Sequence, residues 1–151
     1  MNKKKEKLKV ILVDDMSDEH LIFRKVFNSL EFLDMDLICY NSAKELEAFL
    51  NSADATTPHI VFLDMHMPVK SGMDCLKDIR SNKKFKEIVV AIYSVSSDEN
   101  VISACLGAGA NIFITKPRDL KVLRTTLNEV IKSCIHYHSM AFNFETYVRT
   151  F

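Results

Sequence analysis

Apolar residues fall along this chain in two alternating rhythms. Short unbroken runs, Val10-Ile11-Leu12-Val13, Leu37-Ile38-Cys39-Tyr40, Ile60-Val61-Phe62-Leu63, Ile88 to Ile92 and Ile112-Phe113-Ile114, alternate with stretches where apolar positions recur every third or fourth residue. Runs that are apolar on both faces suit strands buried inside a parallel sheet, and the wider spacing suits amphipathic helices. The pattern predicts strands at Lys9–Val13, Leu37–Tyr40, Ile60–Leu63, Ile88–Ile92 (closing in Tyr93-Ser94) and Asn111–Thr115. The helices between them carry Ile22, Val26 and Leu30; then Ala43, Leu46, Phe49 and Leu50; then Leu76 and Ile79; then Val101, Ile102 and Leu106. Leu120, Leu123, Leu127, Val130 and Ile131 mark the last.

Boundary residues sharpen the pattern. Ser17, with Asp18 and Glu19 after it, fits an N-cap for the first helix, and Asn41 or Ser42 for the second. Ser71-Gly72 opens the third, and Ser96 with Glu99 fits a capping box for the fourth, which Gly107 and Gly109 end. Five strands alternating with five helices predict an α/β fold, a parallel sheet with helices on both faces. For five strands this is most often the flavodoxin-like, doubly wound order 2-1-3-4-5.

A length of 151 residues suits one domain with a full core. Residues 1–7 read as a solvated basic lead-in, 8–134 as the domain and 135–151 as a C-terminal extension. In the extension, Met140, Phe144, Tyr147, Val148 and Phe151 share a helical face, while Phe142, Phe144, Thr146 and Val148 alternate as in a strand. It can dock on the domain or on a partner. A homodimer would use it, the last helices or the fifth strand. Twenty basic and twenty acidic residues balance to zero charge, which argues against nucleic acid as partner. No apolar stretch is long enough for a membrane span and no signal peptide is evident. Cys39, Cys75, Cys105 and Cys134 are widely spaced and read as reduced core thiols, so a cytoplasmic protein is expected.

The chemistry gathers at strand ends. Asp14-Asp15 close the first strand, Asp64 the third, Ser94 the fourth and Lys116 the fifth. In the 2-1-3-4-5 order the first and third strands are neighbours at the switch point, so the three aspartates meet at one carboxyl edge. Like charges at about 4 Å cost on the order of 4 kcal/mol at an effective dielectric near 20, so the trio calls for a cation or a retained proton. Hard oxygen donors without His or Cys favour Mg²⁺ over Ca²⁺, and no EF-hand loop is present. Lys116 offers a point charge and Ser94 a hydroxyl, and with the acidic trio these are parts for phosphoryl transfer to a carboxylate. Taken singly, Asp14-Asp15 also fits a helix-capping turn and Ser94 a loop hydroxyl. Pro117 could hold the backbone of Lys116 through a cis bond.

The chain resembles the receiver domain of two-component response regulators, the CheY-like superfamily, in its single-domain form. The resemblance rests on Asp14-Asp15, on Asp64-Met65-His66-Met67-Pro68 with Gly72, on Ser94, and on Phe113-Ile114-Thr115-Lys116-Pro117. It implies that Asp64 takes a phosphoryl group from the phosphohistidine of a sensor kinase. It implies Mg²⁺ (or Mn²⁺) held by Asp15, Asp64 and the backbone carbonyl of His66, with Asp14 acting through water. Ser94 would bond the phosphoryl oxygen and Lys116 would pair with it. Phe113 matches the switch aromatic that turns inward as Ser94 is drawn to the phosphate; without a tyrosine hydroxyl it reads packing alone. His66 and Ser96 fall where the family tunes phosphoryl lifetime, and Gly72 and Pro117 are structural. His66 also fits a solvent-facing loop residue, and Phe113 ordinary strand packing.

The resemblance implies a bacterial phosphoacceptor signalling protein rather than a true enzyme, with no room in this length for a DNA-binding output domain. Its partners would be a sensor histidine kinase or histidine phosphotransfer protein and a downstream protein target. The alternatives are an intermediate phosphorelay carrier, a phosphorylation-independent scaffold, and a Mg²⁺-dependent aspartyl-phosphate phosphatase. The phosphatase would want an acid-base Asp two residues past Asp64, where His66 stands.

Overall fold

The computed structural model describes residues 7–32, 34–52, 55–140 and 149–151. In chain order they form β1 (Leu8–Val13), α1 (Ser17–Asn28), β2 (Met35–Tyr40), α2 (Ala43–Leu50), β3 (Ile60–Leu63), α3 (Gly72–Ser81) and a 3₁₀ turn (Lys83–Phe85). There follow β4 (Val89–Ser94), α4 (Glu99–Gly107), β5 (Ile112–Thr115), α5 (Leu120–Met140) and β6 (Arg149–Thr150). All pairings are parallel, in the order β2-β1-β3-β4-β5-β6. The five predicted strands take the 2-1-3-4-5 arrangement, and the helices cover both faces.

Burial follows the apolar runs. β3 and β4 are buried along their whole length, as the inner strands of a sheet covered on both faces must be. Period-two alternation divides the core. Val10, Leu12, Ile60, Phe62, Ala91, Tyr93 and Ile114 face α1 and α5, where Phe23, Phe27, Leu123 and Leu127 pack on them. Ile11, Val13, Val61, Leu63, Ile92 and Phe113 face α2, α3 and α4. All four cysteines are free thiols; burial pushes Cys75 and Cys134 up to about 12, so neither is a ready nucleophile.

Several boundaries differ from the sequence pattern. Met16, not Ser17, is the N-cap of α1, and it lacks a side-chain cap bond. Asp98, not Ser96, caps α4 by accepting from Asn100 N at 2.8 Å; the Ser96 hydroxyl accepts from Asp98 N one turn earlier. Ser42 and Ser71 are the predicted caps, accepting from Glu45 and Asp74. α5 runs past the expected boundary at 134 to Met140, because Tyr137 continues its apolar stripe into the α1–α5 core. Positions 141–148 of the extension, including Phe142, Phe144, Tyr147 and Val148, lie outside the described residues.

The extension's last residues add a sixth strand. Arg149 and Thr150 pair with Ile112 and Phe113, and Phe151 N donates to Phe113 O at 2.9 Å. An edge strand offers a row of unused donors and acceptors, and β6 takes up part of that row on β5. The Phe151 side chain packs against the α1–α5 core.

Candidate functional site

The site forms where β1, β3, β4 and β5 end side by side. Val13, Leu63, Ile92 and Phe113 form one lateral row through the paired registers. The next residues, Asp14 and Asp64, emerge together at the carboxyl edge, tied by Asp64 N donating to Val13 O at 3.0 Å. Ligand oxygens of Asp14, Asp15 and Asp64 lie within 4.8 Å of one another. Asp14 is 0% exposed and Asp64 6%, while Asp15 keeps solvent access. The sequence expectation of one acidic edge is met.

Two buried carboxylates so close need compensation, and the fold supplies it. Lys116 Nζ donates to Asp14 Oδ2 at 2.9 Å and stands 3.9 Å from Asp64 Oδ1, with its side chain only 10% exposed. Asp14 Oδ1 accepts from Met16 N at 2.9 Å, and its backbone carbonyl accepts from His20 Nε2 at 2.6 Å. Asp64 is served less fully, by His66 N at 3.4 Å. Burial therefore pushes the Asp64 carboxyl above its ordinary value; Lys116 pulls it down, and Asp14 and Asp15 push it up again.

The remaining predicted residues surround this pair. Ser94 is fully buried; its hydroxyl accepts from Ser96 N at 3.2 Å, and its carbonyl accepts from Lys116 N at 2.6 Å. No peptide bond among the described residues is cis, so Lys116-Pro117 is trans and the bond to Ser94, not an isomer, fixes the lysine's backbone. Thr115 Oγ1 donates to Ser96 O at 3.0 Å, joining the loops after β4 and β5. His66 is exposed beside Asp64, and Phe113 packs inward among the α2–α4 side of the core. Gly72 abuts the end of β3: an added Cβ would stand 2.1 Å from Asp64 O.

The loop from β3 to α3 stores strain. Val69 holds φ +70° while Lys70 N donates to Pro68 O at 2.8 Å, a left-handed γ-turn on a β-branched residue that is 96% exposed. Lys70 anchors the far side of the turn through ion pairs to Glu47 and Asp78. Val69→Gly is expected to stabilise the fold by about 1 kcal/mol, because the left-handed conformation is free of Cβ strain in glycine. A denaturant midpoint equal to or below the parent's would show that the turn carries no such strain.

Sequence reasoning missed His20 and Tyr93. A histidine on a helix and a tyrosine closing an apolar strand both read as surface and core, respectively. Only the tertiary structure shows that His20 meets the backbone carbonyl of Asp14 and that Tyr93 falls in register beside Asp64. A 250 Å³ cleft lined by Glu47, Asp78, Ile79 and Phe85 lies away from the site, between α2 and α3. No described helix is long and apolar enough to cross a membrane.

The donor set fits a hard divalent cation: three carboxylates offering one oxygen each, an open side, and neither imidazole nor thiol among them. The family model of the response regulator receiver domain matches residues 10–128. The chain is 28% identical over 124 residues to chemotaxis protein CheY1 of Helicobacter pylori, covering 82% of this chain and 97% of that protein. It resembles the crystal structure of the Mn²⁺-bound form of response regulator Rcp1 with a TM-score of 0.72 at 25% identity, over 81% of this chain and 90% of that one. The phosphorylated cyanobacterial phytochrome response regulator RcpA shares the fold with a TM-score of 0.77 at 23% identity, over 85% and 94% of the two chains.

Proposed function

This chain belongs to the response regulator receiver family, and on that premise we propose that Asp64 is its phosphoacceptor. The observation that carries the reading is the placement of Lys116 between two buried carboxylates, 2.9 Å from Asp14 and 3.9 Å from Asp64. Such a cation offsets part of the charge of the two acids in a poorly solvated edge and then faces the incoming phosphoryl oxygens. An Asp64 oxygen attacks phosphorus, the nitrogen–phosphorus bond of a donor phosphohistidine breaks, and the imidazole leaves as a neutral ring once protonated. The donor is a sensor histidine kinase or a histidine phosphotransfer protein.

Asp14, Asp15, Asp64 and the backbone carbonyl of His66 would hold Mg²⁺ or Mn²⁺. Bound there, the ion would neutralise charge on the transferring group. Support comes from the acidic trio itself and from the Mn²⁺ named for Rcp1. Ser94, one donor and two lone pairs, can keep its bond from Ser96 N while donating to a phosphoryl oxygen. The same movement would draw on Thr115 and Lys116 and shift the packing around Phe113, which is already inward. His66 and Ser96 flank the acceptor and would set how long the acyl phosphate survives. The phosphorylated edge, carrying roughly −1.5 to −2 added charge, then reads out as protein contact.

Incubation with acetyl phosphate and Mg²⁺ tests this. One phosphoryl group per chain, mapped to Asp64 and slowly hydrolysed, is the expected result. Rapid multiple turnover would make the protein a phosphatase, and absence of any adduct would remove the reading.

A further inference from the structure

We propose that Tyr93 is a positioning residue for Lys116: its ring is the floor along which the lysine crosses β4 to reach the acidic pair. The inference rests on the reading of Asp64 and Lys116 given above and adds a residue to it. One step beyond the row of Val13, Leu63, Ile92 and Phe113, the sheet places Asp14, Asp64, Tyr93 and Ile114 side by side. Successive side chains alternate, so this whole row faces α1 and α5. Tyr93 thus holds in β4 the position that the acids hold in β1 and β3.

Lys116 starts from the end of β5. In the order β1-β3-β4-β5 its ammonium must pass over β4 to stand near Asp64 and reach Asp14. What lies beneath is the Tyr93 ring, with Nζ 5.1 Å from its centroid. An ammonium over an aromatic face is held by the ring quadrupole, more strongly where water is excluded. The ring is itself braced: Phe23 meets it edge-on at 5.7 Å and 72°, and Phe23 meets Phe62 at 5.0 Å and 65°. Phe62 lies two residues before Asp64. A chain of three aromatic rings therefore connects the acceptor strand to the lysine. An aliphatic side chain would fill the same core position without offering the ammonium a face.

Three measurements on the full chain test this. The ε-methylene protons of Lys116 should show an upfield ring-current shift in the parent and in Tyr93→Phe, and lose it in Tyr93→Leu. Labelling by acetyl phosphate at saturating Mg²⁺ should fall roughly fivefold to thirtyfold in Tyr93→Leu, the range a desolvated cation–π contact supplies, and stay within about twofold in Tyr93→Phe. Mg²⁺ affinity should change less than about threefold in both, because the acidic trio is untouched. If the leucine variant does not fold, Tyr93→Met takes its place. A parent lysine without the upfield shift, a leucine variant labelled at the parent rate, or a rate that falls only together with Mg²⁺ affinity would each overturn the proposal. If the parent takes no phosphoryl group on Asp64, the acceptor reading fails, whereas the ring-current measurement still judges Tyr93 alone.

Discussion

Asp64→Asn is expected to lose phosphoryl labelling by at least about a thousandfold and, at neutral pH, to be more stable than the parent. The first effect would be removal of the proposed nucleophile, since an amide oxygen is not an anionic acceptor. The second follows from the environment. Asp64 is buried beside Asp14, and burial raises its affinity for a proton above the ordinary value of 3.8, with Lys116 only partly offsetting this. A carboxyl with a raised folded-state pKa contributes stability that is fully present below its unfolded value. That contribution is lost as pH rises through the folded value. Through this group the parent gives up stability on going from acid to neutral pH, and the Asn variant lacks that contribution. Thermal melts without Mg²⁺ should show the Asn variant a few degrees higher in Tm at pH 7, a gap that closes as pH falls below the ordinary carboxyl value of 3.8. Equal Tm values at pH 7 would mean that the charge of Asp64 is already fully compensated.

Gly72→Ala is expected to damage fold and site together. The new Cβ would stand 2.1 Å from Asp64 O and 2.8 Å from Met65 Cα, both backbone atoms that cannot rotate aside. Gly72 N also donates to Met65 O at 3.1 Å, so the start of α3 is fastened to the peptide it would strike. Relief requires moving α3 away from β3 or displacing the Asp64 peptide. Overpacking of this kind costs about 2–3 kcal/mol, a Tm loss of roughly 5–10 °C at this size. The remaining folded fraction should label more slowly, because Asp64 shifts relative to Lys116. Gly107→Ala is the control: nothing lies within 4 Å of its Cβ and it sits at a helix end, so its Tm should hold or rise slightly. A Gly72 variant as stable and as readily labelled as that control would contradict the close approach.

Signals that act over a few residues were legible in the sequence. The apolar runs of β1, β3 and β4 placed the strands, and Ser42 and Ser71 announced helix starts because a cap and the N–H that donates to it lie three residues apart. The same local logic misplaced the caps at Ser17 and Ser96. At the first, the loop is shaped by Asp14 accepting from Met16 N; at the second, Ser96 is drawn to Ser94 and Thr115. Both loops obey the site rather than the helix that follows. The end of the chain was ambiguous for another reason. Whether Arg149 and Thr150 pair as a strand depends on the vacant edge of β5, which no window of the tail contains.

By itself, then, the sequence determined the kinds of element, their order, and that Asp14, Asp15, Asp64, Ser94 and Lys116 stand at strand ends, because each follows from neighbours along the chain. The tertiary structure decided which of these touch. Lys116 meets Asp14 across 102 positions, and the half-buried Arg80 joins Ile88 O to Asn111 Oδ1. Only the register aligns Tyr93 with the two aspartates. Contacts of that kind depend on how strands slide past one another, and a one-residue slip would turn every one of these side chains to the opposite face.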